Sequence, residues 1–298
     1  MKIRNLMAAI LAAACVASFT ACSSNNSDNS SADIYSLSEI AGSADISAAD
    51  MVNNAPASGG NVGDVEIQSG DIYAEFEIEG FGAIRAKLFP DIAPVGVQNF
   101  IQLAQDGFYT GKSIHRVIDG FMFQGGSLNG DGSGGTAAYV GEDAAANATT
   151  FPIEVSDQAR HFYGALCYAN AAGQNTTQFY IVNSKSVDDP ADYDKAIAEL
   201  TAERDKYEAD SEGYEYYNYY IESYTKTAEK LRSLSDKYKE QGGTPSLDDD
   251  YTVFGQVVEG FDVIDNISAV EVTTGSSGEN SKPVKDIIIK SVKVYAAD

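Results

Sequence analysis

Tryptophan is absent from this 298-residue chain, histidine occurs only twice and cysteine three times. His115 and His161 are far apart, and no group of Cys and His has metal-ligand spacing, which excludes a metal enzyme built on nitrogen or sulfur ligands. Carboxylates alone could still hold calcium weakly. Positive charge is scarce as well: 20 Lys and Arg stand against 44 Asp and Glu, a net charge of −24. Such a field repels a duplex or an anionic membrane surface, so nucleic acid is excluded as a partner. Past the first 22 residues no apolar run reaches the ~20 residues of a membrane span.

What is present begins with a leader. Lys2 and Arg4 precede the apolar stretch LMAAILAAACVASFTA and then Cys22, the order of a secretory signal. FTAC followed by SSNNSDNSS resembles a bacterial lipoprotein cleavage site, with Cys22 as the lipidated residue. Loss of the leader takes the net charge to −26 and leaves Cys167 as a free thiol, so no intramolecular disulfide can form. Residues 23–63 are mostly Ser, Asn, Ala, Asp and Gly. That composition buries too little surface to offset chain entropy and reads as a flexible tether.

Residues 64–298 read as one domain, mainly β with helices. DIYAEFEIEG and AIRAKLF alternate polar and apolar residues across an FG turn, the pattern of a hairpin. Val95, Val97, Phe100, Ile101 and Leu103 have helical spacing that stops at Gly107. HRVI, FMFQ, YGALCYA, TQFYIV, TVFGQVV and VKDIIIKSVKVYA are strand candidates, with a short helix through FDVIDNIS. Many short strands with regular turns and few helices predict a closed antiparallel barrel.

Residues 186–245 interrupt this rhythm. Tyr193, Ile197, Leu200 and Tyr207 fall on one helical face, and Tyr217, Ile221, Tyr224, Ala228, Leu231 and Tyr238 on another. Gly213 lies between the halves, and Gly242 and Gly243 follow the end, so two antiparallel helices are predicted. Nine of the 18 tyrosines lie here. The segment is either a solvated, tyrosine-stapled hairpin or a surface that binds clients.

The stretch HRVIDGFMFQGG, residues 115–126, places a fixed charge, apolar bulk and an amide within a dozen positions. It resembles the signature of the cyclophilins, the cyclosporin-binding class of peptidyl-prolyl isomerases. LFPDIAPVGVQNFIQLAQDGFYTGKSIHRVI, NGDGSGG, GALCYANAAGQNTTQFYIV and LDDDYTVFGQVVEGFDVIDNI are similar to further blocks of that family, in the same order, across about 70–184 and 247–296. The resemblance implies an eight-stranded closed antiparallel barrel capped by two helices. It also implies isomerase activity on X–Pro bonds of proline-containing segments in exported proteins, with no cofactor and no metal.

Carried over residue by residue, the resemblance makes Arg116 the group acting on the proline peptide bond. Phe121, Met122 and Tyr180 line the proline pocket, and Gln124, Ala169, Asn170 and Gln178 contact the substrate chain. Leu247 flanks the pocket, with Tyr251 where many members have histidine. The chemistry suits these types. Amide delocalisation sets a rotation barrier of about 18–20 kcal/mol. In the twisted amide the nitrogen becomes pyramidal and accepts a hydrogen bond, which a guanidinium can supply there and not to the planar bond. Taken alone, a strand arginine is more often a surface ion-pair residue, and this acidic chain has many partners for one.

The chain departs from the family at several places. Asp119 replaces a proline and Ser127 an aspartate, neither in contact with substrate. Tyr180 replaces phenylalanine, and its hydroxyl needs a partner if buried. Ser246 replaces a tryptophan that matters for cyclosporin, so weak cyclosporin binding is expected. If Phe121 and Met122 line one pocket, the backbone must leave strand geometry between them, which Gly120 permits. NGDGSGG lacks the lysine and following helix of a phosphate cradle and reads as a tight turn.

Overall fold

The computed structural model describes residues 70–209, 211–233, 236–275 and 278–297. The leader at 1–22 with Cys22, the tether at 23–63 and the start of the domain at 64–69 lie outside the described residues.

Eleven strands and five helices follow in chain order among these residues: β1 (Ile72–Ile78), β2 (Gly82–Leu88), α1 (Pro94–Gln105), β3 (Ser113–Ile118), β4 (Met122–Gly125), β5 (Phe151–Pro152), β6 (Ala165–Ala171), β7 (Gln174–Val182), α2 (Pro190–Arg204), α3 (Glu212–Arg232), α4 (Asp236–Gln241), β8 (Val253–Glu259), α5 (Phe261–Ser268), β9 (Val272–Thr274), β10 (Asn280–Pro283) and β11 (Ile287–Ala296). The sheet order is β4-β3-β11-β1-β2-β8-β6-β7, and pairing of β4 with β7 closes eight strands into an antiparallel barrel. The short β5 adds to β7, and β9 with β10 forms a separate ribbon. The expected hairpin is β1–β2, with Tyr73 opposite Lys87 and Ile78 opposite Gly82.

Strand alternation sorts the apolar residues into two cores. Phe76, Phe123, Leu166, Phe179 and Phe254 point into the barrel, where α1 adds Val97 and Phe100 and α5 adds Ile264. Met122, Cys167, Tyr180 and Val253, each next to one of these, point outward and with Val182 form a second cluster on the barrel wall. A small barrel filled by its own side chains has no room for a solute inside. Chemistry belongs on the wall.

Helix α1 has no side-chain cap of its own at Ala93. Glu154, 58 and 59 positions away, accepts the N–H groups of Gly96 and Val95 at 2.8 and 3.1 Å. A carboxylate at this end also meets the positive end of the helix dipole.

The insertion differs from its expected form in one respect. Helices α2 and α3 do pair, through Tyr193, Ala196 and Leu200 against Tyr224, Ala228 and Leu231, each helix capped by a preceding side chain, Asp189 and Ser211. However, α3 ends at Arg232, and Tyr238 sits on the separate α4. Its ring packs on Phe162 at 4.4 Å, against the barrel and away from the hairpin seam. Tyr207 likewise lies beyond the end of α2, exposed and with its ring tilted against Tyr217 at 5.6 Å. Helical periodicity extrapolated past each helix end misplaced both tyrosines.

Candidate active site

Three adjacent strands assemble most of the wall. Arg116 on β3 lies opposite Gln124 on β4, and Gln124 lies opposite Tyr180 on β7. Directly paired residues have Cβ atoms about 4.5–5.5 Å apart, so Gln124 and Tyr180, on strands distant in sequence, become neighbours. Phe121, Met122, Ala169, Tyr180, Leu247 and Tyr251 all join the outward apolar cluster. Phe121 precedes β4 in a turn closed by its own N–H donating to Ile118 O, and Gly120 there has φ 72°. The backbone therefore leaves strand geometry where it must for Phe121 and Met122 to share one side. Leu247 arrives on the 3₁₀ turn Pro245–Leu247, with Ser246 beside it exposed.

Arg116 is about 15 % exposed and tightly held. Its Nε–H donates to Glu279 Oε2 at 2.6 Å and its Nη2 to Oε1 at 2.9 Å. Nη1 faces the wall instead, 3.4 Å from Gln124 Oε1 and 3.9 Å from Met122 Sδ. Burial works to raise the Glu279 carboxyl, but the bonds and charge of Arg116 outweigh it and hold the group below its ordinary value. One side chain thus carries both a buried ion pair and an edge turned to the outer wall. Beside it, burial first and the Arg116 charge second push His115 down to about 4.

The amides form a chain. Gln124 Nε2 donates to Gln178 Oε1 and Gln178 Nε2 to Gly132 O, both at 2.9 Å. Gly132 belongs to the NGDGSGG loop, a tight turn as expected, in which Gly132 N–H also donates to Ser127 Oγ. Asn170 is different. Its Nδ2 donates to Asp250 O at 2.8 Å and its Oδ1 accepts Gly173 N–H at 3.2 Å, so its carboxamide is committed to the turn. The β6–β7 register slips between Tyr168 and Asn170, at Ala169.

The Tyr180 hydroxyl has its partner. It lies 2.8 Å from His161 Nε2, while His161 Nδ1 lies 2.8 Å from Asp248 Oδ1. In the neutral ring, Nδ1–H donates to the carboxylate and Nε2 accepts the Tyr180 O–H. Asp248 further accepts the His161 backbone N–H at 3.0 Å and the Tyr238 O–H at 2.7 Å. Burial raises the Tyr180 phenol far above its ordinary value; Asp248 is held low, burial being outweighed by the bonds from His161 and Tyr238. Tyr238 thus links the insertion, through Asp248 and His161, to Tyr180 on the barrel wall. Lys230 adds a second tie, donating to Asp248 O at 2.7 Å. The chain returns from α4 so close over His161 that a Cβ on Gly243 would strike His161 O, and its φ is 133°.

His161, Asp248 and Glu279 were not expected at the site, and Tyr238 was expected in the hairpin seam instead. Asp248 does neighbour Leu247, and the need for a Tyr180 partner was visible. Nothing in the chain pointed to Glu279, 163 positions from Arg116.

The family described as cyclophilin type peptidyl-prolyl cis-trans isomerase matches residues 73–294. A Staphylococcus aureus (strain COL) protein, provisionally named a peptidyl-prolyl cis-trans isomerase, is 34% identical over 231 residues, 77% of this chain and 94% of its own. A Staphylococcus epidermidis (strain ATCC 35984) protein of the same name is 36% identical over 215 residues, 72% and 87% of the two chains. A Cryptosporidium parvum cyclophilin type isomerase, solved in the presence of the dipeptide Ala-Pro, overlays with a TM-score of 0.48 at 20% identity, over 76% of this chain and 99% of that one. The match across nearly the whole barrel, together with relatives above 30% identity, assigns this chain to the cyclophilin-type peptidyl-prolyl cis-trans isomerases.

Proposed function

We propose that this isomerase acts on X–Pro bonds of exported proteins, tethered outside the cytoplasmic membrane by a lipid on Cys22, with Arg116 stabilising the twisted amide. The observation that carries the catalytic part is the Arg116 Nη1, held between Gln124 and Met122 on the outer wall. A proline ring seats on Phe121, Met122, Tyr180 and Leu247, with Tyr251 at the rim, and the fixed guanidinium edge meets the amide nitrogen as it becomes pyramidal. Gln124 and Gln178 hold the preceding backbone, and Ala169 and Asn170 contribute main-chain contacts, since the Asn170 side chain is occupied. The reaction moves no proton and forms no covalent intermediate, so a buried, unreactive Cys167 and a scarcity of histidine are compatible with it. Cyclosporin binds weakly because Ser246 offers no indole. Exchange spectroscopy on an X–Pro peptide with residues 64–298, beside Arg116→Ala, tests the reading; equal exchange rates for both would overturn the role of Arg116.

A second reading gives the insertion a part in client binding. It is favoured by Tyr216 and Tyr219, which are 56% and 66% exposed and whose rings meet Tyr220 edge-to-face at 5.0 and 5.4 Å. Replacing both by serine should then raise KM for an unfolded protein client and leave a tetrapeptide unaffected; equal KM values for the client would refute it.

A further inference from the structure

The clamp on Arg116 is built by an element outside the catalytic wall. The β9–β10 ribbon lays β10 along β3, and this brings Glu279, just before β10, up to the guanidinium. Both side chains are mostly buried, 15% and 21% exposed, unlike the solvated pairs that dominate this chain's surface. A guanidinium carries five N–H donors in one rigid plane. Glu279 takes the edge bearing Nε and Nη2, at 2.6 and 2.9 Å. The opposite edge, Nη1, is left facing Gln124 and Met122 at 3.4 and 3.9 Å, both weak contacts.

On the reading that Arg116 acts on the twisted amide, we propose that Glu279 is its positioning residue, fixing the guanidinium plane so that Nη1 is the donor presented to the proline nitrogen. Two effects of the carboxylate oppose each other. Its charge weakens the field of the guanidinium, yet it sits on the edge away from the pocket, a guanidinium's width further from the reacting nitrogen than Nη1. Its two bonds remove the rotamer freedom of a long side chain, and orientation of the donor governs how much of its charge reaches the transition state. Orientation prevails.

Glu279→Gln keeps the size of the side chain and loses the bidentate charge-assisted grip. It should lower kcat about tenfold with KM within twofold. In the Arg116→Ala background the same substitution should change kcat by less than twofold, because the residue acts through the arginine. Nitrogen-15 spectra should show slow rotation of the Arg116 guanidinium about its Nε–Cζ bond in the parent and fast rotation in Glu279→Gln. That comparison separates a lost clamp from general destabilisation, and the parent alone already tests it: fast rotation there overturns the proposal whether or not the variant folds. The proposal also fails if Glu279→Gln keeps or gains kcat while Arg116→Ala loses it, which would leave an ordinary or restraining ion pair. A full effect of Glu279→Gln in the Arg116→Ala background overturns it too, placing Glu279 in another role. If Arg116→Ala itself retains full activity, the parent reading of Arg116 falls and takes this one with it.

Discussion

The Tyr180 hydroxyl and His161 Nε2 lie 2.8 Å apart beneath the apolar wall, both residues almost wholly buried. A phenol buried in this wall is tolerated because the imidazole behind it accepts its hydrogen bond. Tyr180→Phe should therefore leave His161 Nε2 unmatched and cost about 1–3 kcal/mol of stability. Isomerase activity should stay within a few-fold, since the ring itself remains. Urea unfolding followed by tyrosine fluorescence, uncomplicated by tryptophan, measures the first; an unchanged midpoint would mean that the bond contributes nothing net.

Arg116→Ala should lower kcat/KM by roughly 10²–10³, about 2.7–4 kcal/mol, by analogy with removal of one transition-state donor. Activity within a factor of three of the parent would remove Arg116 from the mechanism.

The insertion should be separable from the barrel at a modest cost. Joining 186 to 245 through a short Gly-Ser linker removes the α2–α3 seam, which has its own apolar cluster. It also removes the Tyr238 O–H from Asp248 and Lys230 from Asp248 O. A single cooperative unfolding transition with a lowered midpoint is expected, and Tyr238→Phe alone should account for about 1–3 kcal/mol of the loss. Loss of cooperativity in calorimetry would make the hairpin part of the barrel's own core.

Acid should weaken the same junction. The Asp248 carboxyl is held below its unfolded value of about 3.9, so its ionised form stabilises the fold above that pH. This contribution is lost as pH falls through the lower folded value. Asp248→Asn should make the stability–pH curve shallower below about pH 5. A curve that merely shifts down with its slope intact would show that other carboxylates carry the dependence.

Cys22→Ser should release the protein from the membrane fraction of its host. Persistent membrane association of that variant would point to another anchor.

Local pattern was enough for much of this. Alternation in DIYAEFEIEG and AIRAKLF, helical spacing from Val95 to Leu103 and the ordered motif blocks marked out the barrel strands and α1. The brief β5, β9 and β10 were not legible, because two to four residues carry no measurable period. Tyr238 was assigned to the wrong seam for a related reason: a period says which residues share a face only while the helix continues.

Strand periodicity and turn spacing by themselves predicted that most of the domain would close into a β barrel, and the resemblance to the cyclophilins, not composition, set Arg116 among the candidate pocket residues. Only the tertiary structure decided what holds that pocket. The partners of Arg116 and Tyr180 lie 163 and 19 positions away, on segments whose own sequence is polar loop or unremarkable strand end. Apolar periodicity is written locally because it follows from how successive residues of one element face. A buried charge or phenol takes whichever polar group the closed barrel brings within about 3 Å, and that is settled only when distant strands meet.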